Sequence, residues 1–211
     1  MSSGISGSSA RSNLAEMDYY AGVDLGQKRD HSVVAVVLKK DGQYSLNHLH
    51  VFPLGTEYTS VLEYLRRVAE RFQTIRRWTI DQTGVGEPFP ELARKVGLKN
   101  VVGVELSLPR KQDVMTNLKQ VMEQRRLHFR KDRELVTEIG GEIAELTATG
   151  KTKFSHRSGT HDDRLWALGL AVYGGRFEVE HYKPAIAFGK AIKPRWQLTP
   201  PNLPRALVST R

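Results

Sequence analysis

The chain has 211 residues, a formal net charge of +9 and no cysteine. That length suits one domain with short tails, and the lack of cysteine excludes disulfides, thiolate metal sites and cysteine nucleophiles. No apolar run reaches the roughly 18 residues of a membrane-spanning helix, and no secretory signal pattern opens the chain. We therefore expect a cytoplasmic protein with no membrane partner, and the positive charge favours a polyanionic one.

Composition divides the chain into three parts. Residues 1–17 are rich in Ser and Gly and predict a flexible leader or a cloning remnant. Residues 18–182 carry the periodic apolar patterns of one folded domain. Residues 183–211 form a basic tail containing several prolines, which we expect to be extended. Residues 176–211 alone hold seven basic and two acidic residues.

Strand patterns open the domain. The runs Tyr19–Leu25, Ser32–Leu38 and Tyr44–Phe52 are rich in β-branched and aromatic residues. The second and third are joined by a segment with Asp41-Gly42, which is a typical hairpin turn. These three runs predict an antiparallel three-stranded meander.

Helical and strand patterns alternate after the meander. In chain order the sequence predicts a helix with an apolar stripe from Val61 to Ile75, a strand Trp78–Asp81, a helix Glu87–Val96 closed by Gly97, a strand Asn100–Leu106, helices at about 112–125 and 131–148, a short strand in KTKFSH, and a capped helix in THDDRLWALGLAVYGG. This order predicts the α/β class: a mixed sheet, with the antiparallel meander followed by parallel strands and helices on both faces.

Acidic residues stand at unusual places in these elements. Asp24 lies in the first strand, Asp81 ends the fourth, and Asp162 and Asp163 begin the last helix. An Asp in a buried strand is disfavoured by propensity and by desolvation. If the first and fourth strands are neighbours, these carboxylates converge and repel one another. A divalent cation such as Mg²⁺ would relieve that repulsion.

Each acid also has a purely structural explanation. Asp24 can form an Asx turn at a strand end, and Asp81 before Gln-Thr-Gly can serve turn chemistry alone. The pair Asp162 and Asp163 can cap a helix and interact with its dipole. The combination of all the acids in this strand order favours the metal-site interpretation.

Four segments carry a family resemblance. GVDLGQKRDHS, TIDQTGVGEPFPELARK, LPRKQDVMTNLKQVMEQRRLHF and SGTHDDRLWALGLA together resemble the nuclease domain of phage large terminase subunits, the DNA-packaging motors of tailed phages. The resemblance covers about residues 18–175, and it implies the RNase H-like fold. A lone Asp-x-Gly is shared with actin-like and sugar kinases, whereas Ile-Asp-x-Thr-Gly-x-Gly and His-Asp-Asp in one chain are more specific.

The resemblance implies an endonuclease that cleaves double-stranded DNA with two metal ions, Mg²⁺ or Mn²⁺. Asp24, Asp81 and one or both of Asp162 and Asp163 would be the catalytic metal ligands, with Asp81 or Asp24 bridging the ions. Adjacent helical residues point about 100° apart. We therefore expect one acid of the pair to face the metal, and we favour Asp163.

Basic residues are the candidates for DNA contact. Lys111 matches a lysine that the family often shows before this helix, where it would contact phosphate or balance charge. The other candidates are Arg110, Lys28, Arg29 and His161, with Arg125, Arg126, Lys151, Lys153 and Arg157 as further phosphate contacts and Lys190, Lys193 and Arg195 in the tail. Each of them can equally be a solvated surface charge. Asp30 is either an outer acid or a turn residue, and Gly84 and Gly86 predict a tight turn.

The resemblance also implies partners: double-stranded DNA and, in the full motor, the terminase ATPase domain, the small terminase subunit and the portal, all in the host cytoplasm. No Gly-x-x-x-x-Gly-Lys-Ser/Thr loop occurs in the sequence, so we assign no ATPase domain to this chain. Two alternatives stay open. One is a Holliday-junction resolvase-like nuclease of the same fold, and the other is a non-catalytic DNA-binding module. An actin-like ATPase would need a far longer chain.

Overall fold

The computed structural model describes residues 17–26, 30–73, 75–83, 88–146, 152–156 and 162–177. The predicted leader before Met17 and the predicted basic tail lie outside these ranges. No helix within them has both the length and the apolarity that crossing a bilayer requires.

A six-stranded mixed sheet forms the centre of the domain. Its strands are β1 (Asp18–Asp24), β2 (Val33–Lys40), β3 (Gln43–Val51), β4 (Ile75–Asp81), β5 (Val101–Val104) and β6 (Leu127–His128), in the spatial order β5-β4-β1-β2-β3-β6. The meander β1-β2-β3 is antiparallel, whereas β4 joins β1, β5 joins β4 and β6 joins β3 in parallel. The predicted mixed sheet is confirmed.

The hairpin between β2 and β3 turns where the sequence predicts it. Asp41 and Gly42 have φ angles of 51° and 75°. Two consecutive residues with positive φ are the mark of the two-residue turn that Asp-Gly favours, because its twist matches that of the flanking strands.

Helices cover both faces of the sheet. They are α1 (Tyr58–Arg71), α2 (Pro88–Lys95), α3 (Leu108–Glu123), α4 (Arg133–Gly141) and α5 (Asp163–Gly174). Helices α1 and α2 enclose one core against Ala21, Val23 and Trp78, while α3, α4 and α5 enclose the second core on the opposite face. The alternation of side chains along β1 feeds both cores, so this strand is buried from two sides.

The helix predicted at 131–148 is wrong in its second half. Helix α4 ends at Gly141, and the chain continues as β7 (Glu142–Leu146), which pairs antiparallel with β8 (Thr152–His156). The consecutive residues Gly140 and Gly141 weaken helix propagation, and the residues that follow them pair with β8 as a strand. The short strand predicted in KTKFSH is confirmed as β8, whereas the two-residue β6 was not predicted.

Gly22 lets α5 lie directly on the central strand. A Cβ built on Gly22 would lie 2.0 Å from the Ala167 carbonyl oxygen and 2.4 Å from the Ala171 nitrogen. Only glycine permits this approach of helix backbone to strand backbone. The contact fixes the height of α5 above β1.

Candidate metal centre

Two of the predicted acids stand side by side at one edge of the sheet. Strands β1 and β4 are parallel neighbours with Val23 opposite Ile80, and Asp24 and Asp81 are the next residue of each. Side chains alternate along a strand, so Asp24 lies on the same face as Gly22, which contacts α5. Both acids are half-buried and end their strands beneath the start of α5.

The third and fourth acids belong to the start of α5, but they have different contacts. Asp163 is 7% exposed, and its Oδ2 accepts a hydrogen bond from the backbone N–H of His31 at 3.2 Å. Asp162 is the N-cap residue, yet its side chain caps no helix N–H. Its Oδ2 instead accepts from the Trp166 indole N–H at 2.9 Å. The two carboxylates therefore have separate partners on the protein.

Burial of Asp24 and repulsion between the acids are the main electrostatic features of the site. The pKa of Asp24 is raised well above its usual value, first by burial and then by the charges of Asp81, Asp163 and Asp162, in that order. The Lys111 charge opposes this effect and is the smallest of these influences. Within the described ranges, no three Asp, Glu or His side chains lie close enough to hold one ion as they are placed. Like charges without a cation between them are expected to stay apart.

The Asp81 side chain also forms the turn that the sequence predicts after it. Its Oδ1 accepts the backbone N–H of Thr83 at 2.7 Å, and Thr83 Oγ1 accepts the N–H of Leu106 at 2.7 Å. Burial raises the pKa of Asp81, while the Thr83 hydrogen bonds and the Lys111 charge counteract the rise. The turn explanation and the acid-cluster explanation therefore both hold, and the turn fixes the direction of this carboxylate.

The two basic candidates at the start of α3 lie in different surroundings. Lys111 Nζ lies 5.3 Å from the centre of the Trp166 ring and acts on both Asp24 and Asp81. Arg110 instead donates to the Tyr173 hydroxyl and lies 3.6 Å from Asp113. Tyr173 is ten residues after Asp163 along α5, which corresponds to about 15 Å. Lys111 is thus near the acid cluster and Arg110 is near the other end of α5.

The other predicted residues lie away from this geometry or outside the described ranges. Asp30 is exposed and is not among the charges that act on Asp24. Arg126 donates to Gln124 and to the Gly42 carbonyl, and Arg125 is exposed. The predictions for Lys28, Arg29, Gly84, Gly86, Lys151, Arg157, His161, Lys190, Lys193 and Arg195, and for the side chain of Lys153, lie outside the described residues.

The sequence of the domain matches a known family. Residues 21–173 match the model of the terminase RNaseH-like domain. The chain belongs to this family. The match includes residues of all five helices and places Asp24, Asp81, Asp162 and Asp163 inside the family domain. It confirms the resemblance to the nuclease domain of phage large terminases. No curated protein sequence matches the chain significantly.

Solved structures of terminases share the fold. The large terminase nuclease of thermophilic phage G20c with bound magnesium is 23% identical, with a TM-score of 0.67 over 75% of this chain and 82% of that one. The nuclease domain from Thermus phage P74-26 is 21% identical, with a TM-score of 0.62 over 74% and 79% of the two chains. The large terminase of bacteriophage HK97 is 15% identical, with a TM-score of 0.60 over 74% of this chain and 39% of that protein. The RNase H-like fold is therefore confirmed.

Three residues near the acid cluster were not predicted from the sequence. The His31 ring Nδ1 lies 2.7 Å from the Phe52 carbonyl, which can only accept, so Nδ1 carries the proton. Thr83 fixes the turn after Asp81, and Glu138 binds the first turn of α5. Burial raises the pKa of Glu138, and the Arg164 hydrogen bond counteracts the rise. The only sequence signal for Glu138 is its position in an apolar stripe between Leu135 and Ile139.

Proposed function

We propose that this chain is an endonuclease that hydrolyses phosphodiester bonds of double-stranded DNA with the help of divalent metal ions. The observation that carries the proposal is the convergence of Asp24, Asp81 and Asp163. Each comes from a different element, and the charges of the other two raise the pKa of Asp24. Clusters of acids that perturb one another are typical of functional sites.

The donors fit a hard divalent cation. All three side chains offer carboxylate oxygens, which are the ligands that Mg²⁺ and Mn²⁺ prefer. Among the described residues, Lys111 is the one cation that lowers the pKa of Asp24, and it does so less than any of the other three acids raises it. The G20c nuclease has been observed with magnesium, cobalt and zinc. We infer that Asp24, Asp81 and Asp163 hold two ions, Mg²⁺ or Mn²⁺. Asp162, whose carboxylate accepts the Trp166 N–H, would add negative charge beside them.

The proposed mechanism assigns each residue a limited role. Bound ions would lower the pKa of water to give a hydroxide and would stabilise charge on the scissile phosphate. Asp24 and Asp81 hold their oxygens at the end of a rigid sheet, which limits reorganisation during the reaction. The Thr83 N–H orients Asp81, and the His31 N–H orients Asp163. Lys111, whose Nζ lies over the Trp166 ring, provides a positive charge that would attract the DNA phosphate.

The proposed substrate and partners follow from family membership. Duplex DNA would be the substrate, bound mainly through phosphate contacts and therefore sensitive to salt. In an assembled packaging motor in the host cytoplasm, we infer that the domain works beside an ATPase domain, a small terminase subunit and a portal.

A plasmid assay tests the proposal. Supercoiled plasmid is incubated with the protein in Mg²⁺, in Mn²⁺ and in EDTA, and nicked and linear products are quantified over time. Asp81→Asn keeps the shape of the side chain and removes its charge. Asp41→Asn is the matched control, because Asp41 is an exposed turn residue whose positive φ suits Asn. A four-way DNA junction serves as a second substrate.

Metal-dependent cutting by the wild type and by Asp41→Asn, reduced more than about 100-fold in Asp81→Asn, would support the proposal. Cutting of the junction with intact linear duplex would favour the resolvase alternative. Plasmid binding without cutting in either metal would overturn the catalytic proposal and leave a DNA-binding module.

A further inference from the structure

Helix α4 carries a buried acid whose two oxygens bind the start of α5. Glu138 is 7% exposed. Its Oε1 accepts a hydrogen bond from Arg164 Nη1 at 2.7 Å, and its Oε2 accepts the backbone N–H of Leu165 at 3.0 Å. Arg164 and Leu165 directly follow Asp163. One carboxylate from a neighbouring helix therefore holds both a side chain and a backbone group in the first turn of α5.

This contact replaces the usual cap of the helix. The first N–H groups of a helix have no partner inside it, and the N-cap side chain commonly accepts one of them. Asp162 occupies that position, but its Oδ2 accepts from Trp166, and no side-chain cap bond forms. Glu138 supplies the acceptor from outside the helix. The direction of the first turn is thus set by α4 and not by its own N-cap residue.

Stability alone gives little reason for a buried pair at this place. A buried ion pair is often no more stabilising than apolar side chains of similar volume. The charge of Asp163 also acts unfavourably on Glu138. Arg164 is only 21% exposed, so the pair is largely removed from water. The cap on Leu165 contributes to stability, but it does not require the Arg164 ion pair, whose place beside the acid cluster is better explained by the geometry it imposes.

We propose that Glu138 and Arg164 form a positioning pair that directs Asp163 toward Asp24. The inference rests on the proposed metal-dependent function. Asp163 is held on one side by the His31 N–H, through its own Oδ2. On the other side, the two residues after it are held by Glu138. With both contacts in place, the Asp163 carboxylate is held at the start of α5, where its charge acts on Asp24 at the end of β1.

The expected consequence is a loss of metal affinity without a comparable loss of folding. Partners that orient metal ligands typically account for about 10- to 100-fold in metal affinity or activity. Glu138→Gln keeps the size of the side chain but turns one acceptor into a donor, which cannot serve both Arg164 and Leu165. Glu134→Gln is the matched control, since Glu134 is exposed and lies one turn earlier on α4.

The decisive variant removes both members of the pair. Glu138→Leu combined with Arg164→Leu leaves no unpaired buried charge, but the Leu165 N–H loses its acceptor. The free energy of unfolding is therefore expected to fall by about 1–3 kcal/mol, and the protein is expected to stay folded. Mn²⁺ affinity is measured by titration calorimetry, with thermal unfolding in EDTA and plasmid cleavage in parallel. We expect Mn²⁺ affinity to fall about 10- to 100-fold in Glu138→Gln and in the double variant, and to stay unchanged in Glu134→Gln.

The outcomes separate this inference from the proposed function. Equal Mn²⁺ affinity in the wild type and in a folded double variant would overturn the positioning role alone. A wild type that neither binds Mn²⁺ nor cleaves DNA would overturn the proposed function and the positioning role together. Should Glu138→Gln fail to fold, the double variant still decides the question. Should the double variant fail instead, its unfolding would assign the pair to stability and would also overturn the inference.

Discussion

The pKa values of the acidic side chains shift in opposite directions at the two ends of α5. At its C-terminal end, Asp113 accepts hydrogen bonds from Tyr173 at 2.8 Å and from Arg176 at 2.7 Å. Burial alone would raise the pKa of Asp113, but these hydrogen bonds hold it below the usual value. At the N-terminal end the acids face one another, and the pKa of Asp24 rises. A structural acid is thus neutralised by the protein's own cations, whereas the acids of the proposed site need a cation from outside.

The sharpest test of this contrast compares one acid from each end. Asp163→Asn is expected to reduce Mg²⁺-dependent plasmid cleavage more than about 100-fold, because it removes a proposed metal ligand. Asp113→Asn is expected to change cleavage less than about 3-fold, because it lies away from the proposed ions. Initial rates at matched protein and metal concentrations give both values. Equal losses in the two variants would mean that the two ends of α5 do not differ in function.

Strand β1 lies directly under α5, and a substitution of Gly22 tests the contact between them. Gly22→Ala places a Cβ against the α5 backbone at 2.0 Å and should lower the free energy of unfolding by about 2–3 kcal/mol. Gly140→Ala is the control, since a Cβ there meets nothing within 4 Å. It should be neutral or stabilise by up to about 1 kcal/mol. Urea unfolding monitored by circular dichroism measures both, and an undiminished stability in Gly22→Ala would contradict the close contact.

The pH dependence should have opposite signs at the two ends. A raised folded-state pKa means that the folded protein binds the Asp24 proton more tightly than the unfolded chain does. Without metal, this contribution to stability is lost as the pH rises through the folded pKa of Asp24. Asp113 has a lowered pKa, so its contribution is present above its unfolded pKa and is lost as the pH falls.

Metal binding should therefore stabilise the protein more at neutral pH than at acid pH, because the ion must displace the Asp24 proton. At roughly ten times the dissociation constant, the stabilisation is about 1.4 kcal/mol. Thermal unfolding with and without Mn²⁺ across this pH range measures it, with Asp24→Asn as the control. An Mn²⁺ effect that grows toward acid pH would contradict the assigned sign.

The smallest effect is expected at the C-terminal end. Arg176→Ala removes the ion pair with Asp113, whose two side chains are 48% and 40% exposed. Exposed pairs contribute about 0–1 kcal/mol, so the stability should fall by less than about 1 kcal/mol and cleavage should not change. A large loss of cleavage in this variant would show that the two ends are coupled.

The main elements of the site could be predicted because local patterns determine them. Asp24 lies in an apolar strand and Asp81 ends another, and their convergence was predicted on the condition that these strands are neighbours, which the structure meets. Asp163 follows from its place at the start of a long apolar helix. The roles of these residues remain predictions, whereas the fold and the family are confirmed.

Other features depend on contacts between distant parts of the chain. The segment 142–146 continues the apolar stripe of α4, so periodicity alone extended the helix, while its pairing with β8 decides for a strand. The contact of Glu138 with Arg164 and Leu165 joins residues more than twenty positions apart. Apart from its place in an apolar stripe, no local signal distinguishes Glu138 from an ordinary surface acid, because its partners lie on another helix.

The direct contact between Gly22 and α5 has a consequence for how the protein tolerates change. Because backbone meets backbone there, no side chain acts as a spacer between the strand that ends in Asp24 and the helix that begins with Asp163. Substitutions of the surrounding apolar side chains therefore act on that separation less directly than a substitution of Gly22 does. The distance between the two halves of the acid cluster thus depends on a residue that contributes no side chain to the core.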